Sequence, residues 1–286
     1  MILLSLLLQA ASPTQDEVRF EQCADIATAS REEGEKAASA WRLAGGGFLA
    51  QQCLGLAYAT GSDFAGAATA FSDAARAAET ARDPRAANYW AQAGNAWLAA
   101  KDAVKARRAL DAALAAGTLS GLALGEAHLD RARAAFAAND PTAARTDIDQ
   151  ALRTAADDPL AWLLSATLAR RAGDLPRAAA DLAEALKRSP DDASVQLELG
   201  NLAALKGDAE VARAAWSKAV ELGGTGPVAD AAKTALRDMI AWIVERRGIS
   251  ADDAYMLCSL ACDLRVTQTV DGNKGIHAVL AKTALA

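Results

Sequence analysis

An internal period constrains this chain more than any other feature of its sequence. Ala151, Ala185 and Ala219 are 34 residues apart, and so are Ala144, Ala178 and Ala212. Asn139, Gly173 and Gly207 keep the same step, as do Asp140, Asp174 and Asp208. Ile148, Leu182 and Trp216 add a large position, and Ala132, Ala166 and Gly200 a small one. A fixed step of this length marks one supersecondary unit copied along the chain, each copy needing a neighbour to cover its apolar face. Upstream the same template returns with a step of 39, from Gly55, Ala67, Phe71 and Ala74 to Gly94, Ala106, Leu110 and Ala113. The step from Ala113 to Ala151 is 38. The added residues fall in segments such as 81–85, between units, where a longer loop costs little.

Chemistry explains which residue types recur. Apolar residues make up 52% of the chain while aromatics make up only 5%, and alanine supplies most of the difference. Alanine is the strongest helix former and lets helix backbones approach closely. The small positions Gly55, Gly94, Ala132, Ala166 and Gly200 suit the closest crossing of two paired helices. Phe71, Leu110, Ile148, Leu182 and Trp216 are expected to fill the space between pairs. Gly173-Asp174 and Gly207-Asp208 read as turns: the glycine accepts a left-handed backbone at the end of one helix, and the aspartate caps the next. Pro190 marks the end of a pair, since proline cannot continue a helix interior.

These residues resemble the tetratricopeptide repeat. Leu54-Gly55, Tyr58, Gly61, Ala67, Phe71 and Ala74 follow its pattern, and Trp90, Gly94, Trp97, Ala106 and Ala113 follow it next. Trp162, Ala166, Gly173, Ala178, Ala185 and Pro190 form a fourth copy, and Leu199-Gly200, Gly207, Ala212, Trp216 and Ala219 a fifth. The third copy lacks the Leu-Gly pair and carries Asn139 where glycine is usual. The resemblance covers residues 48–224. It implies an all-α, right-handed superhelical array of antiparallel helix pairs, about five repeats, whose first helices line a concave groove for a protein or peptide. The groove-facing positions project onto Gln52, Asn88, Asn95, Glu126, Arg133, Thr167, Arg170, Arg171 and Asn201. Asn95 and Asn201 fall where some family members grip a terminal carboxylate, and Arg133 and Arg170 would supply charge. The lysine that usually accompanies the first asparagine is replaced by Ala91, so the resemblance implies a polar peptide rather than a dedicated carboxylate clamp.

Residues 13–47 are helical in character but off the template, and are expected to form a capping helix with Gly45-Gly46-Gly47 as its hinge. Residues 1–12 read as a short apolar run followed by small residues, as in a secretory signal peptide, although no Lys or Arg precedes it. The run is far shorter than the roughly 20 residues a membrane-spanning helix needs. Export to the periplasm or beyond is the favoured expectation, with the cytoplasm the alternative. In an exported chain Cys23 and Cys53, on neighbouring expected helices, would form a disulfide stapling the open end of the array; in a cytosolic one they are small buried residues.

Beyond residues 223–227, which are rich in glycine, the pattern changes. Val228 to Arg247 reads as a helix, a second helix runs to about Cys262, and the period then drops to two from Leu264 to Val270. A turn at residues 271–275 and a second strand from Ile276 to Leu280 complete a small α+β appendage. Residues 228–286 resemble the C-terminal end of the acetamidase/formamidase family. The residues that carry this resemblance include Arg237-Asp238-Met239-Ile240, Asp252-Asp253-Ala254-Tyr255-Met256 and Lys274-Gly275-Ile276-His277-Ala278. The larger body of such an enzyme, with its metal and catalytic side chains, has no counterpart in this sequence. His128 and His277 are the two histidines, and neither has a second metal-type ligand adjacent to it. No catalytic residue, metal site or cofactor is therefore expected. The alternative reading is an inactive chain related to hydrolases of linear amides. A formal charge of −6 without a long basic run argues against nucleic acid as partner. The hairpin, with unpaired strand edges, is a candidate for self-association.

Overall fold

The computed structural model describes residues 14–223, single positions between 241 and 250, and residues 262–270 and 273–280. They divide between Ala155 and Ala156 into two compact units. The first holds α1 (Gln15–Ala29), α2 (Arg31–Leu43), α3 (Gly47–Thr60), α4 (Phe64–Thr80), α5 (Ala86–Ala99), α6 (Ala103–Ala115), α7 (Gly121–Ala137) and α8 (Pro141–Thr154). Each helix packs on the next, and α5 also touches α7. The second holds α9 (Pro159–Arg171), α10 (Leu175–Arg188), α11 (Ala193–Lys206) and α12 (Ala209–Gly223), followed by β1 (Cys262–Val270) and β2 (Asn273–Leu280). The repeats are thus helix pairs: α3–α4, α5–α6 and α7–α8 in the first unit, α9–α10 and α11–α12 in the second.

The core is built largely from alanine, with few large side chains wholly enclosed: Leu110, Leu182 and Val195 are the largest. Its dense packing follows from the small positions. A Cβ added to Gly55 would stand 2.4 Å from Phe71, one on Gly94 2.4 Å from Leu110, and one on Gly200 2.2 Å from Trp216. Each large side chain therefore lies over the glycine of its own pair. Phe71, Leu110 and Trp216 thus lock α3 to α4, α5 to α6 and α11 to α12. Phe71 also clusters with Ala93 and Ala96 of the next pair, and Leu182 with Val195 and Leu202 of the next, as expected of residues between pairs.

One turn joins the two helices of every pair. Ser62, Lys101, Asn139, Gly173 and Gly207 have φ values of 61°, 63°, 58°, 80° and 81°. The aspartate that follows each one (Asp63, Asp102, Asp140, Asp174, Asp208) donates its N–H to a carbonyl five residues back, at 2.9 Å every time. Its side chain then accepts the N–H three residues on, from Gly66, Lys105, Ala143, Arg177 and Val211. One residue pair thereby closes the first helix and opens the second.

The capping region is two helices rather than one. Ser30, in extended backbone at φ −149°, ends α1 and caps α2 by accepting the N–H of Glu33. Gly34 on α2 would meet the Ala27 backbone at 2.4 Å if it bore a Cβ, so the two helices cross in close contact. A disulfide joins Cys23 of α1 to Cys53 of α3, with the Cα atoms 6.0 Å apart. Arg85, in the turn before α5, reaches α1 as well, with Nη1 3.3 Å from Glu17 Oε1.

In the tail, β1 and β2 pair antiparallel with an irregularity between Val266 and Gln268. Cys262 opens β1 rather than closing a helix, and β2 begins at Asn273, so residues 273–275, expected in the turn, belong to the strand. Of the expected helix Val228–Arg247, Ala241, Val244 and Glu245 are described and are helical. Residues 251–261 and the first thirteen residues lie outside the described residues, and with them the expected second helix of the α+β appendage and the expected signal peptide. Among the described residues no helix is long and apolar enough to cross a membrane.

Candidate functional site

The first unit contains a groove of about 740 Å³ whose walls are the first helices of three successive pairs. From α3 come Leu49, Gln52, Leu56 and Ala59; from α5 Asn88, Ala91, Gln92, Asn95 and Ala99; from α7 Ala123, Glu126, Ala127 and Asp130. Their spacing by three, four and seven residues puts each set on one helix face. α1 closes one end with Glu17 and Phe20, and Arg85 and Tyr89 stand beside them.

Most of the lining surface is apolar, and a few side chains on these helices supply its polar groups. Gln52 and Gln92 are joined by a side-chain hydrogen bond of 3.3 Å. Asn95 Nδ2 donates to Asp130 Oδ2 at 2.8 Å, and Arg133 Nη1 donates to Asp130 Oδ1 at 2.7 Å. Asn88 and Glu126 are exposed and have no hydrogen bond or ion pair among the described residues. Arg85 is committed: Asp83 receives its Nε at 2.9 Å and Nη2 at 2.7 Å, and its Nη1 points to Glu17. That fork holds the Asp83 carboxyl below its usual range. Glu17 is also held low, first by the Thr14 backbone N–H and hydroxyl and then by Arg85. Tyr89 is 2% exposed and its phenol is pushed up by burial. Its hydroxyl makes no hydrogen bond among the described residues.

Four of the nine groove positions expected from sequence, Gln52, Asn88, Asn95 and Glu126, meet in this groove, and Arg133 lies beside it through Asp130. The other four belong to the second unit. Arg170 forms an ion pair with Glu198 at 2.6 Å, both side chains under 10% exposed, and Asn201 accepts the indole N–H of Trp216 at 3.2 Å. Thr167 is half-buried on α9 and Arg171 exposed at its end. Glu17, Phe20, Tyr89, Gln92 and Asp130 were not anticipated. Asp130 was within reach, since it lies four residues from Glu126 on the same face. Glu17 and Phe20 follow only from the folding of α1 against α3.

His128 serves structure here. Its Nδ1 lies 2.9 Å from Asp147 Oδ1, and Arg131 grips the same carboxylate at 2.6 and 2.9 Å while reaching Asp111. These contacts tie α7 to α8 and α6, and the hydrogen bond to Asp147 raises the Arg131 pKa. Among the described residues no group of three or more His, Cys, Asp or Glu could hold a metal ion.

The chain contains tetratricopeptide-type repeats: the tetratricopeptide repeat family profile matches residues 129–181 and 163–227. Among solved structures it is similar to the pilF protein of Pseudomonas aeruginosa, at 15% identity over 71% of this chain and 90% of that one, with a TM-score of 0.58. A tetratricopeptide repeat protein from Parabacteroides merdae matches at 16% identity over 74% of this chain and 81% of that one, with a TM-score of 0.53. The APC/C hetero-tetramer Cut9-Hcn1 matches at 12% identity over 84% of this chain and 45% of that one, with a TM-score of 0.55. At these identities the likeness is one of fold. No curated protein matches the chain.

Proposed function

We propose that this chain is a scaffold without catalysis of its own, holding an extended segment of a partner protein in the groove framed by α3, α5 and α7. The observation that carries the reading is the groove itself: α3 and α5 present side-chain amides and α7 two carboxylates, over a lining of alanine, leucine and phenylalanine. Carboxamides both donate and accept, so they suit the peptide groups of an extended chain whatever its sequence. The alanines of α5 and α7 (Ala91, Ala99, Ala123) leave room for that backbone to come close. A dedicated carboxylate clamp is disfavoured, because Asn95, Arg133 and Arg170 are each occupied by an acidic partner and Asn201 by Trp216. The alternative, a relative of linear-amide hydrolases, draws no support from the repeats or from the fold comparisons.

The disulfide between Cys23 and Cys53 supports export to an oxidising compartment as part of the same reading. The strand pair of the tail leaves an outer edge on each strand, where a second copy would add. The test of the main reading is an array of immobilised ten-residue peptides probed with the full chain and with Ala91→Trp, which fills the groove. Peptides held by the wild type should be lost by the variant, whose helicity and melting stay unchanged. Equal retention by both proteins would move binding off the groove, and an array with no binding would end the peptide reading.

A further inference from the structure

Resting on the groove as the binding site, we infer that its occupant is a basic segment, with a Lys or Arg side chain seated on α7 between Glu126 and Asp130. The charged residues lining the groove are Glu17, Arg85, Glu126 and Asp130. Arg85 is already forked onto Asp83 and directed at Glu17, and the other guanidinium at the rim, Arg133, is spent on Asp130. With Asp83 and Arg133 included, four carboxylates face two guanidinium groups, and the site carries a surplus of negative charge. Glu126 is the carboxylate with no hydrogen bond or ion pair among the described residues. An incoming carboxylate finds no uncommitted cation in this lining and is repelled by Glu126. An incoming cation meets an unopposed partner.

The surrounding geometry fits the rest of such a side chain. Ala123 and Ala127 lie on the face of α7 that carries Glu126 and Asp130, and Ala91 and Ala99 line the adjoining α5. Their methyl groups form a shallow apolar track for the aliphatic stem of Lys or Arg, which buries its methylenes while the charged head stays at a polar rim. Asn95 and Arg133 hold the Asp130 carboxylate in place from two sides, so little ordering remains to be done when a ligand arrives. Glu126, one helical turn earlier on the same face, adds a carboxylate with both oxygens open to an arginine or lysine head. A concave wall concentrates the field of such charges and draws a cationic ligand in.

The test is fluorescence anisotropy on the full chain with three pools of acetylated, amidated ten-residue peptides. All are drawn from Ala, Ser, Thr, Gly and Leu, with the central residue fixed as Arg, Gln or Glu. Affinity should fall in the order Arg, Gln, Glu, the Arg pool binding about threefold or more tighter than the Gln pool. Raising salt from about 50 to about 300 mM should narrow the gap. Glu126→Gln should collapse it, and Glu126→Lys should reverse it so that the Glu pool binds above the Arg pool, an outcome that misfolding cannot produce. If the three pools bind alike, or if Glu126→Lys leaves the order standing, the basic preference is wrong while the groove stands. If no pool binds, the groove reading falls and this inference with it.

Discussion

Tyr89 and Arg170 show how much a single side chain's role depends on neighbours distant in sequence. Tyr89 is buried beside the groove, and its hydroxyl lacks a hydrogen bond among the described residues. A buried donor without a partner costs roughly 1–3 kcal/mol. Tyr89→Phe should therefore leave the free protein as stable or up to about 1 kcal/mol more stable in urea unfolding. A loss above that would mean the hydroxyl has a partner. Arg170 occupies a groove position by helix periodicity, yet its guanidinium is held by Glu198, 28 residues away. Periodicity reports which face a residue takes but not what stands opposite it, which is why Arg170 read as a ligand-binding charge. Removing Arg170 takes the ion-pair partner from the buried Glu198 carboxylate, so Arg170→Ala should cost about 3–5 kcal/mol. Chemical denaturation measures this directly; a change below about 1 kcal/mol would show that solvent reaches the pair.

In the last two helix pairs the turn was the most legible element in the sequence, because its chemistry is local. Gly173-Asp174 and Gly207-Asp208 announce a left-handed residue followed by a helix cap, and both have that geometry. The same position in the earlier pairs falls on Ser62 and Lys101, which give no such signal, while Gly61 next door has φ −83°. There the fold imposes a backbone that the residue itself resists. Lys101→Gly should raise stability by about 0.5–1 kcal/mol, and Gly207→Ala should lower it by a similar amount. Opposite signs in thermal melts are the readout; equal signs would contradict the turn assignment. Asp102→Ala should cost about 1 kcal/mol through the lost cap. The Lys105 backbone N–H holds the Asp102 pKa down, so its contribution is present above the ordinary carboxylate range and fades as pH falls through the lowered folded value. The Asp102→Ala deficit should therefore shrink below about pH 4. The large residues over Gly55, Gly94 and Gly200 were legible as a set, but their partners were not, since a period fixes spacing and leaves facing helices open.

At the scale of the molecule, the capping helices matter most for the site, and they were the least legible part. Nothing in residues 13–47 follows the repeat, and the break at Ser30 and the docking of α1 on α3 depend on contacts far along the chain. The Cys23–Cys53 bond closes a loop with a sequence separation of 30. Replacing both cysteines with serine should lower stability by about 3–4 kcal/mol, by the loop entropy released to the unfolded chain. A tryptic digest under non-reducing conditions should contain the linked Cys23 and Cys53 peptides. The central claim, that the groove of α3, α5 and α7 is where a partner segment lies, is met most directly by hydrogen–deuterium exchange. The full chain would be compared with and without a saturating peptide retained from the array. Slowed exchange confined to residues 49–59, 88–99 and 123–130, abolished by Ala91→Trp, is the result the account predicts. Protection confined to other helices, or none despite bound peptide, would contradict it.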